Sequence, residues 1–512
     1  MLPFENLIII DKDRPIPVFK QITNRIIELI RDGRLKPGIY LPGTRQMAQI
    51  LNVNRKTVIK SYDEMLGENW IETVMRKGYR VMPDLPLLKP RSFQPKTYFS
   101  LHGHKEAFTT QDIKVIRTGG YMKSSDVLVD DGFPDPSLIR HRDFNKASIG
   151  DDRGFYPGRV LAPRPVGGSA AVRESTSVFL NDSRGLNISE REIMMTRGGK
   201  MPLYLAANIL INKGDIVALS DKSDTLPIEI IEHAGGDVIY IHTDGEGIDP
   251  AHLEEVLRKT KIKMLYLVPH CHYPTTVVMG AERRRRLLEL MIAFDFWIVE
   301  DDYAYDFHYQ NSPILPLASS AHNGKVVYIG SFDKIISPSV GLGFFVASPE
   351  IITKAIHLQG LIDQNGDAQM EHLLLTMMEN RGIERQIMRC RKIYAHRCDL
   401  ICELLRENLG HLIKFDKPKA GLAVYIKFED RFPLGRFVKD SSDFGLFFNG
   451  TLVDNFAHRP EKAIRLGFAS LTIKEMETAV EIMVKVINKL VSVSKNYSMS
   501  NLSPSAISAY AS

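Results

Sequence analysis

No stretch of this 512-residue chain approaches the roughly 18 consecutive apolar residues of a bilayer-spanning helix, so no membrane-spanning helix is expected. Cysteine is scarce. Four occur, at 271, 390, 398 and 402, with no CxxC pair, which argues against a disulfide framework or a structural zinc site and predicts reduced thiols. The opening Met1-Leu2-Pro3-Phe4-Glu5-Asn6 lacks a basic flank and a cleavage site, so the expectation is no secretion signal and a cytoplasmic protein. Internal repeats are absent. So is a charge excess over most of the chain: from residue 84 onward, 52 Lys and Arg balance 52 Asp and Glu. The net charge of +5 therefore sits in the first 83 residues, with 14 basic against 9 acidic side chains. A small basic unit joined to a large neutral one suits a phosphate-backbone partner, since neutralising phosphates releases counterions.

The length predicts three or so folding units. In residues 17–32, Val18, Ile22, Ile26, Ile27 and Ile30 recur at helical spacing, and Gly33 with Pro37-Gly38 closes the helix. A short second helix follows Leu41-Pro42-Gly43, and a third begins at Arg55 with Asn54 as its cap. Residues 70–82 alternate around a turn at Arg76-Lys77-Gly78. The sequence thus predicts a winged helix-turn-helix over 1–82. Prolines 83, 86, 90 and 95 mark an extended linker, taken as 83–126. Strand-like runs at 216–219, 238–241, 264–268, 297–299 and 326–329 alternate with helical stretches, predicting a mainly parallel sheet wrapped by helices over 127–345. Long helices at 350–362 and 368–408, then strands near 423–428 and 463–468, predict a smaller α+β subdomain over 346–491. The Ser-rich tail from 492 to 512 is expected to be disordered.

In a helix-turn-helix the second helix enters the major groove, so its first turn should present donors. Arg55, Lys56, Thr57 and Lys60, behind Asn54, meet that requirement. Arg45 on the preceding helix, with Arg76 and Lys77 at the wing tip, would reach phosphates and set position more than sequence preference. Periodicity alone fits a solvated basic hairpin equally well. The strings Pro17-Val18-Phe19-Lys20-Gln21-Ile22, Gly33-Arg34-Leu35-Lys36-Pro37-Gly38, Leu41-Pro42-Gly43-Thr44-Arg45 and Asn54-Arg55-Lys56-Thr57-Val58 closely resemble the GntR family winged helix. That resemblance implies a homodimer reading two half-sites of double-stranded DNA through these residues.

Further along, Glu300-Asp301-Asp302-Tyr303 follows one expected strand and Lys334 follows the next. Both would lie at the carboxyl end of a sheet, where open α/β folds bind ligands. A carboxylate beside a pyridine nitrogen, a phenol and a carbonyl-reactive lysine would suit one aldehyde cofactor. A solvated acidic turn plus a surface lysine is the plainer alternative. His270-Cys271-His272 has no further cluster to complete a metal site, so it reads as a loop. Arg283 to Arg286, after Glu282, reads as a solvated helix face.

The motifs Thr196-Arg197-Gly198-Gly199, Pro269 to Thr276, Glu300 to Tyr303, Gly330 to Lys334 and Ile464-Arg465-Leu466-Gly467-Phe468 resemble fold type I aminotransferases. With the N-terminal part, they resemble the MocR regulators of the GntR family, in which such a domain senses ligand for a DNA-binding head. The resemblance implies that Lys334 bonds pyridoxal phosphate, Asp301 pairs with its ring nitrogen and Tyr303 contacts its phenolic oxygen. Gly198 and Gly199 would offer N–H groups to its phosphate, and Arg465 would clamp a substrate carboxylate. Lys200, Tyr273 and Ser331 complete the implied cofactor-binding set.

Departures cluster at the phosphate. Gly341 stands where the family carries an arginine, Asp333 where it carries Ser or Thr, Asp224 where an aromatic lines the pocket, and Lys200 where glutamine is common. The loop at 154–172 is also rearranged, and no role passes to Tyr156. The expected function is a regulator sensing pyridoxal phosphate or a small amino compound, with catalysis incidental. Two alternatives stay open: an active aminotransferase with a DNA-binding head, and a cofactor-free pseudo-aminotransferase.

Overall fold

Apolar side chains at helical spacing build the first of two units, residues 1–116 and 117–512, in the computed structural model. The structure describes residues 3–11, 16–75, 77–83, 126–139, 165–309, 314–364, 366–448 and 461–500. Arg76, the linker from 84 to 125, Tyr156 with its loop up to 164, and the tail from 501 lie outside the described residues.

In the first unit, helix Val18–Arg31 buries Ile22, Ile26, Leu29 and Ile30 against helices Thr44–Ile50 and Arg55–Gly67. Val18 and Ile27, expected on the same face, pack only partly against that core. Tyr62 donates to the Pro42 carbonyl at 2.9 Å, tying the third helix to the turn before the second. Asn54 caps the third helix by accepting the Lys56 N–H at 2.9 Å. Strands Ile71–Val74 and Gly78–Val81 pair antiparallel to form the wing. A four-residue helix, Phe4–Leu7, adds Phe4 to the core, which its length hid from the periodicity reading.

The second unit centres on a seven-stranded sheet. Its strands lie in the order Ile193–Arg197, Leu342–Val346, Val326–Ser331, Trp297–Asp301, Ile262–Leu267, Ile216–Ser220 and Asp237–Ile241. Leu342–Val346 is antiparallel to both neighbours, and the other pairings are parallel. Alternation sends successive residues to two separate cores: Ile298, Tyr328 and Phe344 to one, Val299, Val327 and Phe345 to the other. Gly343 is required where it stands, because a Cβ there would meet the Gly198 carbonyl oxygen at 2.2 Å.

Three expectations shift. The stretch expected to be one helix over 368–408 is two, Ala368–Glu379 and Gly382–Leu409, separated by Arg381 in the left-handed region at φ 55°. Residues from 127 do not open the large sheet. Val127–Val129 pairs parallel with Leu446–Phe448, and Val127, Val129 and Leu138 pack in the small subdomain's core. A three-residue strand carries no signal of a partner more than 300 residues away. The last helix, Ile473–Ser500, continues past the expected start of the tail at 492. The small subdomain also holds the antiparallel strands Ala423–Phe428 and Ala463–Gly467, and buries Cys390, Cys398 and Cys402 as packing residues.

Replacing Asn54 by Ala should destabilise the head by about 1 kcal/mol, whereas Ser should cost little. Denaturant unfolding of the full chain, followed through the Trp70 environment, reads this difference; equal losses for both variants would argue against the cap.

Candidate functional site

Strands Trp297–Asp301 and Val326–Ser331 run parallel and adjacent, with Asp301 opposite Ile329. Their carboxyl ends therefore deliver Asp301, Tyr303, Ser331 and Lys334 to the same rim. A cavity of about 290 Å³ opens there. Seven of the expected residues line it together: Gly199, Lys200, Tyr273, Asp301, Tyr303, Ser331 and Lys334. Its walls are otherwise largely apolar, with Leu203, Leu226, Pro227, Ile230 and Val268.

Strand alternation sorts the acidic run. Glu300 is fully buried away from the cavity and accepts the Leu317 and Ala318 N–H groups at 2.9 Å each. Asp302 is buried too, accepting from Tyr328 and lying 3.8 Å from Arg184. Only Asp301 of the three carboxylates lines the cavity, so this is not a solvated acidic turn. Its Oδ2 accepts from the Tyr266 hydroxyl at 2.7 Å. Burial raises its pKa to about 6, against the opposing pull of that hydrogen bond.

The Lys334 ammonium donates to the Gly132 carbonyl at 2.7 Å and lies 4.1 Å from the centre of the Phe133 ring. Burial lowers its pKa; Asp131 works against that and Arg465 with it. A buried amine that ionises less readily is a better nucleophile toward carbonyls. Asp131, Phe133 and Tyr266 also line the cavity and were missed in the sequence, and His272 of the 269–276 loop joins them. Asp131 and Phe133 arrive on the segment captured by the small subdomain, and Tyr266 reads as an ordinary strand aromatic. Burial pushes the pKa of His272 down to about 3, keeping it neutral, and its Nδ1 lies 2.7 Å from the Thr275 hydroxyl.

Two expected contacts are not on the wall. Arg465 is buried, donating from Nε to the Asp131 carbonyl at 2.8 Å, from Nη1 to the Pro274 carbonyl at 2.8 Å and from Nη2 to the Tyr303 hydroxyl at 3.1 Å. Its guanidinium is engaged internally instead of presented to a carboxylate. Tyr303 in turn donates to the Cys271 carbonyl at 2.8 Å, and Tyr273 to Asp131 at 3.1 Å. Gly198 donates its N–H to the Gly341 carbonyl at 2.6 Å and so has none left for a phosphate. Asp224, where an aromatic was expected, lines the cavity as the cap of helix Thr225–His233.

In the head, Arg45, Arg55, Lys56 and Lys77 are exposed and Thr57 is half-buried. Lys60 lies over the Phe19 ring at 4.0 Å, and Arg55 Nε donates to the Thr44 hydroxyl at 3.4 Å. Asn54 turns its side-chain oxygen to the helix cap.

Comparisons with known proteins divide along the same line. The family model "Aminotransferase class I and II" matches residues 161–483, and "Bacterial regulatory proteins, gntR family" matches 19–81. The chain is 23% identical over 490 residues to the probable rhizopine catabolism regulatory protein MocR of Rhizobium meliloti, covering 93% of this chain and 94% of that one. It is 25% identical to the pyridoxine biosynthesis transcriptional regulator PdxR of Corynebacterium glutamicum, over 79% of this chain and 82% of the relative. Among solved structures, a kynurenine aminotransferase from Pyrococcus horikoshii superposes with a TM-score of 0.66 at 24% identity, covering 72% of this chain and 92% of that one. At that identity the likeness shows the fold alone.

The aminotransferase class uses pyridoxal phosphate, and the two ends of the cavity differ in how they would receive it. Asp301 and Lys334 suit the ring and the aldehyde. The phosphate end does not fit: Gly341 has no side chain, the Gly198 N–H is taken, and Asp333 adds a carboxylate to the wall.

Asp301 supplies a direct test. A carboxyl with a raised folded pKa contributes stability that is complete below its ordinary value of 3.8 and lost as pH rises through about 6. Asp301→Asn should therefore raise stability at pH 7.5 by roughly 1–3 kcal/mol, and the gain should shrink toward pH 4. Melting temperatures of both proteins across pH 4–8 check this; a pH-independent difference would refute the buried carboxyl.

Proposed function

Because the chain belongs to the class I and II aminotransferase family and carries a gntR-family head, the pairing of MocR-type transcriptional regulators, we propose that it reads duplex DNA with the head and a small effector with the cavity. The effector is an amino or carbonyl compound of the vitamin B6 kind, and the working form is a homodimer matched to two half-sites. The observation that carries this reading is the bond from Lys334 to the Gly132 carbonyl.

Lys334 extends from the large sheet, whereas Gly132 belongs to a segment held by the small subdomain. That segment is fixed by the Gly467 N–H donating to the Asp130 carbonyl at 2.7 Å and the Ser470 hydroxyl donating to Asp130 at 2.6 Å. A ligand that engages the Lys334 amine competes with Gly132 and breaks a link between the two subdomains. Such a ligand has different affinities for the joined and released arrangements, which is what a switch requires. The apolar walls exclude water from the amine, and Asp301, oriented by Tyr266, waits for a ring N–H.

Two measurements test the reading. Wild-type protein should prefer its own promoter duplex over a random one, with affinity falling steeply in salt. Lys56→Ala should lower the slope of log affinity against log salt by about 1. Equal affinity for both duplexes would sink the regulatory reading. Lys334→Ala, which removes that link itself, should hold duplex affinity at the value of the released arrangement and abolish its response to added pyridoxal. Sustained transamination that disappears in Lys334→Ala would instead identify an enzyme with a DNA-binding head.

A further inference from the structure

The cavity wall beside Lys334 carries an anion of its own. Asp333 Oδ2 lies 3.8 and 3.9 Å from the points where Cβ atoms would stand on Gly198 and Gly199, so the carboxylate rests over the glycine turn that opens helix Met201–Leu210. Both glycine N–H groups of that turn are directed elsewhere or at Asp333. The Gly198 N–H goes to Gly341, while the Ser331 hydroxyl and the Gly199 and Leu342 N–H groups face the Asp333 carboxylate. The cations nearby are few. Arg197 is bonded to Asp363 at 2.8 Å and Asp367 at 2.7 Å, Gly341 occupies left-handed backbone at φ 58° without a side chain, and Lys200 shares the cavity wall with Asp224, whose charge its own partly offsets. Meanwhile Asp333 Oδ1 is buried with no hydrogen-bond partner. A buried acceptor without a donor is costly, and rotation of the carboxylate toward the cavity would let a ligand donor relieve it.

From this arrangement we propose that the Ser331–Asp333 end of the cavity accepts an uncharged hydrogen-bond donor, as in the hydroxymethyl group of pyridoxal, and rejects a phosphate ester at the same place. The cavity is thereby selective for unphosphorylated ligands. This rests on the reading of the cavity as the effector site and names the ligand class it takes. A phosphate ester brings only acceptors and nearly two negative charges at neutral pH to a site already holding one. At separations of about 4 Å in a protein interior that repulsion weakens binding by roughly a hundredfold or more. Bonding to Lys334 needs no other reactant: the amine adds to the aldehyde carbon, a C=N bond forms, and water leaves.

Full-length protein titrated at pH 8 with pyridoxal and, separately, with pyridoxal 5′-phosphate, read by visible absorbance and by heat, tests the proposal. The wild type should bind pyridoxal at least roughly tenfold more tightly than the phosphate. Asp333→Asn, and independently Asp333→Ser, should remove or invert that preference by strengthening phosphate binding. A wild type that binds the phosphate as well as or better than pyridoxal, or does not bind pyridoxal, overturns the proposal. So does a preference unchanged in both variants. Retention of promoter duplex by the same preparation reports separately on the regulatory reading.

Discussion

The parallel pairing of Trp297–Asp301 with Val326–Ser331 is the constraint on which the functional cavity depends. Two adjacent strands ending at the same rim bring Asp301 and Lys334, more than 30 residues apart in the chain, to one wall. The pleat then selects among the acidic residues, turning Glu300 and Asp302 inward to structural partners and leaving Asp301 for the cavity. Shifting the register by one residue would exchange those roles.

Around that pair, the cavity is finished by chain from far away. The segment holding Asp131, Gly132 and Phe133 closes over Lys334 although it packs with the small subdomain. The site is therefore shared by two layers whose mutual contact includes the reactive amine. Arg465 performs a structural part in the same joint by bonding Asp131, Pro274 and Tyr303 together. A guanidinium bonded to two backbone carbonyls and a phenol stabilises the joint and is costly to withdraw from it.

The charge pattern separates this cavity from one built for a phosphorylated cofactor. Asp131, Asp224, Asp301 and Asp333 line it, and the glycine turn that would cradle a phosphate already faces a carboxylate. The ring end of the family's chemistry is retained in residue type, while the phosphate end is altered. Those alterations are coherent: the missing side chain at Gly341, the carboxylate at Asp333 and the engaged N–H of Gly198 all act on the same anion.

Much of this was legible in the chain alone. Helical periodicity located the head, alternation of short apolar runs with helices located the parallel sheet, and local motifs marked Lys334, Asp301 and Tyr303, because each of these signals is carried by residues close together in the chain. What local pattern could not decide was partnership. Nothing near Val127 announces its pairing with Leu446–Phe448, nothing near Tyr266 announces its bond to Asp301, and the Arg465 motif does not reveal that its fork is occupied. Which elements form, and which residue types they carry, follows from the chain alone, since propensity and periodicity are local. Which donors remain available to a ligand follows from the folded arrangement, because a hydrogen-bonding group belongs to whichever partner the fold brings within reach.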